Sequence, residues 1–238
     1  MRTVERVGLR EGERVLDVPC GTGPALLPAA QRVGPTGQVV GLDVAERMLA
    51  IAREKVGRST LTNVSVHYGD MTALDVPATP YDAVLCVLGI FFVDDMPGVV
   101  RSFLDLVRPR GGRVAVTVFG ENVFEPVRSV FVEAVNDVMP GLEVVQAWNR
   151  TARLDAFRRV FEDAGVGAVS IETDDDAVPM RSAGDWWRIV MGSGLRRAVG
   201  QLGPERAAEV RARCERYVEQ HRVDRLLNRS RYAIVVRD

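Results

Sequence analysis

VLDVPCGTGPALL, residues 15–27, runs from an apolar strand ending in Asp17 into a turn holding Gly21 and Gly23 and then into a helix. Glycines there let a ligand approach the backbone closely, beside the free amides of a helix start. A dinucleotide fingerprint needs G-x-G-x-x-G. Here Leu26 stands where the third glycine belongs, and an acid precedes the loop. Beside two phosphates that acid would repel by on the order of several kcal/mol in a partly buried site. The loop therefore disfavours pyrophosphate and suits a ligand carrying positive charge.

Outward from this stretch the same rhythm recurs. Strands are expected at 13–18 (ERVLDV), 38–44 (QVVGLDV), 63–68 (NVSVHY), 82–88 (DAVLCVL) and 112–118 (GRVAVTV), each nearly continuous in apolar residues, as strands covered on both faces are. PALLPAAQRV, AERMLAIAREKV and MPGVVRSFLDLV between them carry apolar residues at three- and four-residue spacing, which predicts crossover helices. The second half is less regular. It reads as a helical stretch at 121–138, the helix RLDAFRRVFEDAG, a strand near 168–173, helical material, and a final strand RYAIVVR. Pro204 can open a long helix to about residue 227, with Val210, Cys214, Tyr217 and His221 on its buried face.

Four strand ends converge on one ligand if the sheet is parallel. Asp43 ends GLDV, the place of the acid that accepts both ribose hydroxyls in nucleoside-binding α/β folds. HYGDMTALDVP brings Gly69, Asp70 and Met71 to the end of the third strand, where a carboxylate can accept from an adenine amino group. CVLGIFFVDD follows the fourth strand, at the switch point of such a sheet. Taken singly, these acids and glycines serve equally well as strand-end caps and turns.

Composition bounds the rest. The 238 residues are 47% hydrophobic and 26% charged, a globular balance that excludes disordered, collagenous and disulfide-scaffold chains. The longest apolar run, Ala83 to Val93, has 11 residues, against about 20 for a membrane span. No secretory or transit pattern opens the chain, so a cytoplasmic protein is expected. Three cysteines without ligand spacing and two histidines argue for reduced thiols and no metal. Residues 1–180 carry a net charge of −7 and residues 181–238 one of +6. The basic quarter alternates Arg with Glu at helical spacing, a solvated face and not a nucleic-acid groove.

Together, DVPCGTG, GLDVAERML, GDMTAL and YDAVLCVLGIFFVDD leading to VRPRGGRVAV resemble the class I S-adenosylmethionine-dependent methyltransferases, especially the small-molecule branch that includes ubiquinone and menaquinone biosynthesis enzymes. The resemblance covers about residues 7–119. It implies an α/β fold: a Rossmann-like, seven-stranded, mostly parallel sheet with helices on both faces, the last strand antiparallel, and a mainly helical cap. The cofactor is then S-adenosyl-L-methionine, with S-adenosyl-L-homocysteine as product. Asp17, Cys20, Gly21 and Gly23 would surround its methionine part, and Asp43, Val44 and Met48 would flank ribose and adenine. Gly69, Asp70 and Met71 would hold the adenine, with Cys86 and Val87 near the methyl group. Pro19 departs from the pattern, standing where the loop often has its first glycine. The expected organisation is a core at 1–120, a cap insertion at 121–150, core again at 151–177, a helical cap insertion at 178–228 and the final strand at 229–238.

Such an enzyme aligns its acceptor with the carbon–sulfur bond, and a hydroxyl acceptor also needs a base. His221 is the candidate base; His67, within a strand, reads as structural. Asp94 and Asp95 lack a third ligand for a metal. Phe91, Trp148, Trp186, Trp187 and Tyr217 are candidates for a pocket that takes a flat or hydrophobic small molecule. The short start leaves room for a second copy, in a homodimer, to supply cover. Two other readings stay open: a protein of this fold that binds the cofactor without methyl transfer, and a nicotinamide-dependent oxidoreductase.

Overall fold

The computed structural model describes residues 2–75 and 77–238. Met1, the first residue of the expected core, and Val76, inside the quoted third motif, lie outside the described residues. In chain order the first elements are α1 (Arg2–Arg6), β1 (Arg14–Asp17), α2 (Leu26–Val33), β2 (Gln38–Asp43), α3 (Glu46–Gly57) and β3 (Val64–Tyr68). β4 (Ala83–Val87), a 3-10 turn (Ile90–Phe92), α4 (Met96–Leu106) and β5 (Arg113–Phe119) follow. The remainder comprises α5 (Val127–Val138), α6 (Asn149–Ala152), α7 (Leu154–Asp163), β6 (Ser170–Pro179), α8 (Gly184–Gly192), α9 (Arg196–Leu202), α10 (Pro204–Gln220) and β7 (Arg225–Val236).

The strands form one seven-stranded sheet in the order β3-β2-β1-β4-β5-β7-β6. β1 pairs in parallel with β2 on one side and β4 on the other, so Leu16 lies opposite both Val40 and Val84. β7 runs the other way: the Gly111 amide donates to the Arg237 carbonyl while Gly120 donates to Arg229, one number rising as the other falls. β4 and β5 are buried at all but their last residue, which is why they read as unbroken apolar runs. α2 buries Leu26, Ala29, Ala30 and Val33, the three- and four-residue stripe that packs a crossover helix on the sheet. Because β1 to β4 are parallel, their carboxyl ends, Asp17, Asp43, Tyr68 and Val87, all emerge at one edge. The order reverses between β1 and β4, and that is where ligands of open α/β sheets bind.

The chain divides into two units: Met1–Val118 with Leu154–Glu172 and Arg231–Asp238, and Phe119–Arg153 with Thr173–Ser230. The first holds the sheet core and, between α4 and α7, a buried cluster including Phe103, Phe157 and Phe161. The second packs α5 on α10 around buried Trp186, Phe131, Phe124 and Trp148, whose rings meet edge to face at centroid distances of 6.0–6.5 Å.

Two expectations are corrected here. α10 stops at Gln220 instead of continuing to about 227, because Arg222 takes a left-handed φ of 50° and Val223 donates back to the Val218 carbonyl. Its buried stripe is Val210, Cys214 and Val218, so His221 lies beyond the helix and is exposed. β6 is longer than 168–173, and its residues alternate between partly buried and exposed.

Candidate functional site

The end of β1 is held open by its neighbours. The Val18 amide donates to Leu85 in β4 and the Cys20 amide to Leu42 in β2, so the glycine loop is pinned from both flanking strands. Gly21 and Gly23 take φ of 54° and 83°, which side chains rarely adopt. Asp43 fastens the loop from outside: its Oδ2 accepts the Gly21 amide and its Oδ1 the Ala45 amide, both at 2.8 Å. Each oxygen keeps a further lone pair, so this carboxylate can still accept from a ligand hydroxyl. From α3, Lys55 Nζ donates to the Thr22 carbonyl at 2.9 Å.

Two glycines outside the loop make it fit. A Cβ at Gly41 would come within 2.8 Å of Leu26 Cδ1 and 3.1 Å of Cys20 Sγ. One at Gly89 would lie 2.2 Å from Pro19 Cγ. The pyrrolidine that replaces the loop's customary first glycine thus takes up the space that Gly89 leaves.

Beside the loop opens a cleft of about 470 Å³ lined by Val18, Pro19, Val44, Gly69, Asp70, Met71, Thr72, Phe92, Val93, Asp94 and Asp95. Four of the residues expected to hold cofactor, Val44, Gly69, Asp70 and Met71, are in this wall. Gly21, Gly23, Cys20 and Asp43 build the loop behind it, and Asp17 and Cys86 lie fully beneath, while Val87 and Met48 are half-buried outside the lining. Pro19 and Thr72 join the wall beyond the expected residues, and Phe92 comes from the expected CVLGIFFVDD segment. They reach the cleft through turns, which carry no periodic signal. Phe91 is core at 2% exposure, whereas its neighbour Phe92 is 61% exposed at the rim.

No lysine or arginine is among the described lining residues. Asp70 Oδ1 accepts both the Thr72 amide and its hydroxyl at 2.8 Å, which holds this carboxyl below its ordinary range. Asp95 caps α4 through the Gly98 amide. Asp17 is 1% exposed, and neither carboxylate oxygen has a hydrogen-bond partner. Burial first, then the Asp43 charge, pushes its carboxyl well above the usual carboxylate value. An acidic cleft over an unsatisfied buried acid fits a cationic nucleoside and repels a phosphorylated one. Among the described residues, no group of three or more acids, histidines and cysteines could hold a metal.

The remaining candidates belong to the second unit. Trp148 and Trp186 are buried in its aromatic core, Trp187 lies under the Arg211 guanidinium, and Tyr217 stacks on His221 at 4.1 Å. His221 Nδ1 is 3.0 Å from the Tyr217 carbonyl, which can only accept. In that contact Nδ1 is the donor.

A mostly parallel sheet with its switch point beside a glycine loop, an acid closing β2 and an acidic cleft together form a site suited to a cationic nucleoside. Residues 15–111 match the family described as "Methyltransferase domain", so the resemblance carried by the four motifs is borne out. In particular, the chain is similar to nocamycin O-methyltransferase of Saccharothrix syringae, 39% identical over 116 residues that make up 49% of this chain and 41% of that one. It is 28% identical to demethylmenaquinone methyltransferase of Shouchella clausii over 72% of this chain and 77% of the relative. The chain thus spans less than half of the first relative's length and about three quarters of the second's. Among solved structures, YcgJ of Bacillus subtilis superposes over 99% of this chain and 96% of its own, with a TM-score of 0.63 at 16% identity. That likeness bears out the Rossmann-like sheet.

Proposed function

We propose that the chain is an S-adenosylmethionine-dependent methyltransferase whose acceptor is a small aromatic or hydrophobic molecule. The observation that carries this reading is the acidic cleft at the carboxyl ends of β1 to β4, which has no basic side chain in its described lining. Asp43, already oriented by two amides, would receive the ribose hydroxyls. Gly69, Asp70 and Met71 would hold the adenine, and Asp17 and the glycine loop would face the methionine part. When bound, the cofactor supplies an electrophilic sulfonium methyl group.

The residues of the chain then position, and need not activate, the donor. Alignment and exclusion of water can supply about 7–11 kcal/mol of a displacement barrier. For a hydroxyl acceptor the candidate base is His221, whose Nδ1 faces the Tyr217 carbonyl and leaves Nε2 free for a proton. The names of the relatives, a nocamycin and a demethylmenaquinone methyltransferase, support a small-molecule acceptor. A cytoplasmic setting is supported by three free, buried cysteines; among the described residues no helix is long and apolar enough to cross a membrane.

Calorimetric titration of S-adenosylmethionine and S-adenosylhomocysteine tests the reading. Micromolar binding is expected, weakened at least tenfold in Asp43→Ala, which costs about 1.4 kcal/mol or more because the Gly21 and Ala45 amides and the ribose lose their acceptor. An intact chain that binds neither compound overturns it. Binding without transfer of labelled methyl to any acceptor would favour a cofactor-binding protein that runs another reaction.

A further inference from the structure

Asp17, beneath the cleft, differs in kind from the carboxylates around it. Asp43 is as good as buried too, but two amides satisfy it. Asp17 is enclosed by the end of β1, β2, β4 and the glycine loop, and both of its oxygens lack hydrogen bonds. The titratable groups that face it are Asp43 from β2, Cys20 from the loop and Cys86 from β4. Burial pushes the Cys20 thiol up to about 12 and raises Cys86 further, so both stay neutral and neither offers a counter-charge. On Asp17 the Leu26 backbone, at the start of α2, acts in the opposite sense to burial and lowers its value. A carboxylate so placed is costly to keep ionised, and it escapes that cost by holding a proton or by meeting a cation.

We propose that Asp17 selects the charge of the cleft's ligand: it is protonated in the ligand-free protein and gives up that proton when a cation docks, so that cation uptake and proton release are one event. The O–H bond of the carboxyl breaks, the proton goes to buffer, and the new carboxylate pairs with the ligand's cationic group. The inference rests on the proposed cofactor. That molecule carries two such groups, a sulfonium and an ammonium, and a neutral nucleoside carries neither.

The test is calorimetry on the full chain at several pH values from the ordinary carboxylate range up to neutrality, each in two buffers of different ionisation enthalpy, with S-adenosylmethionine, S-adenosylhomocysteine and 5'-methylthioadenosine as probes. About one proton is expected to be released per S-adenosylmethionine bound. Release with the homocysteine compound as well, but not with methylthioadenosine, assigns the partner as the ammonium; release with S-adenosylmethionine alone assigns it as the sulfonium. Asp17→Asn keeps the shape and is expected to abolish the release. Binding with the same heat in both buffers overturns the inference and leaves the cofactor reading standing, as does release that persists in Asp17→Asn. Failure of all three probes to bind overturns both.

A ligand-free readout runs in parallel. A carboxyl whose folded value is raised contributes stability below its ordinary value of 3.8 and loses it as pH climbs through the raised value. Wild type is therefore expected to fall behind Asp17→Asn in melting temperature as pH rises through that window. Equal melting temperatures throughout would contradict the protonated state.

Discussion

Glu13→Gln is expected to destabilise the protein by about 3–5 kcal/mol, the cost of leaving a buried charge without its counter-ion. Glu13 and Arg113 are 7% and 9% exposed and paired to each other. Arg113 also donates to the carbonyls of Val7 and Gly8, and the second oxygen of Glu13 accepts the Arg10 amide. The pair thus ties the approach to β1 onto the first residue of β5. Glutamine keeps the shape but removes the charge, so the Arg113 guanidinium would have to shed charge it cannot shed or draw water into the core. At about 2–4 °C per kcal/mol for a chain this long, the melting midpoint should fall by about 6–20 °C, measured by circular dichroism. Replacing both partners together, Glu13→Leu with Arg113→Met, should recover most of the loss, because desolvation of both charges is then avoided. A loss under about 1 kcal/mol in the single variant would mean that water already reaches the pair.

The second large effect is expected from Gly89→Ala. Gly89 has an ordinary negative φ of −123°, so conformational freedom is not what fixes it. The methyl would lie 2.2 Å from Pro19 Cγ and 2.3 Å from Cδ, and a proline ring cannot swing aside. Overpacking of this kind costs about 3 kcal/mol at the upper end of its usual range. Since Pro19 and the nearby Phe92 line the cleft, affinity for S-adenosylmethionine should fall with it, by tenfold or more. Pro19→Gly in the same chain should restore both. A double-mutant cycle reads the coupling directly, and a cycle that closes with no interaction term would mean that the Pro19 ring is not what the new methyl meets.

The Pro19–Gly89 fit also shows where sequence reading stops. Asp17, Gly21, Gly23 and Asp43 could be picked out because each stands at the end of an apolar run, and the run itself locates it in a parallel sheet. Gly89 stands in no such relation to Pro19. Their contact arises only when β1 and β4 become neighbours, and a reader of the chain alone sees a departure in one motif without its compensation in another. β6 was half legible for a different reason. Asp174, Asp175 and Asp176 are poor strand residues, yet the sheet edge accepts them because one face of that strand is left to solvent. α10 was read too long because its stop depends on a left-handed arginine, Arg222, where no glycine marks the turn. Cleft walls such as Pro19, Thr72 and Phe92 come from turns, whose geometry follows from what they are packed between.

The sequence holds a single lysine, Lys55, among 30 arginines, and its ammonium is bonded to the carbonyl of Thr22 in the glycine loop. Arginine is inert to amine reagents, so an acylating fluorophore finds one side-chain address, on the helix that braces the loop. A dye placed there reports on the surroundings of the loop, and one labelling step, without a designed cysteine, would give ligand titrations an optical signal.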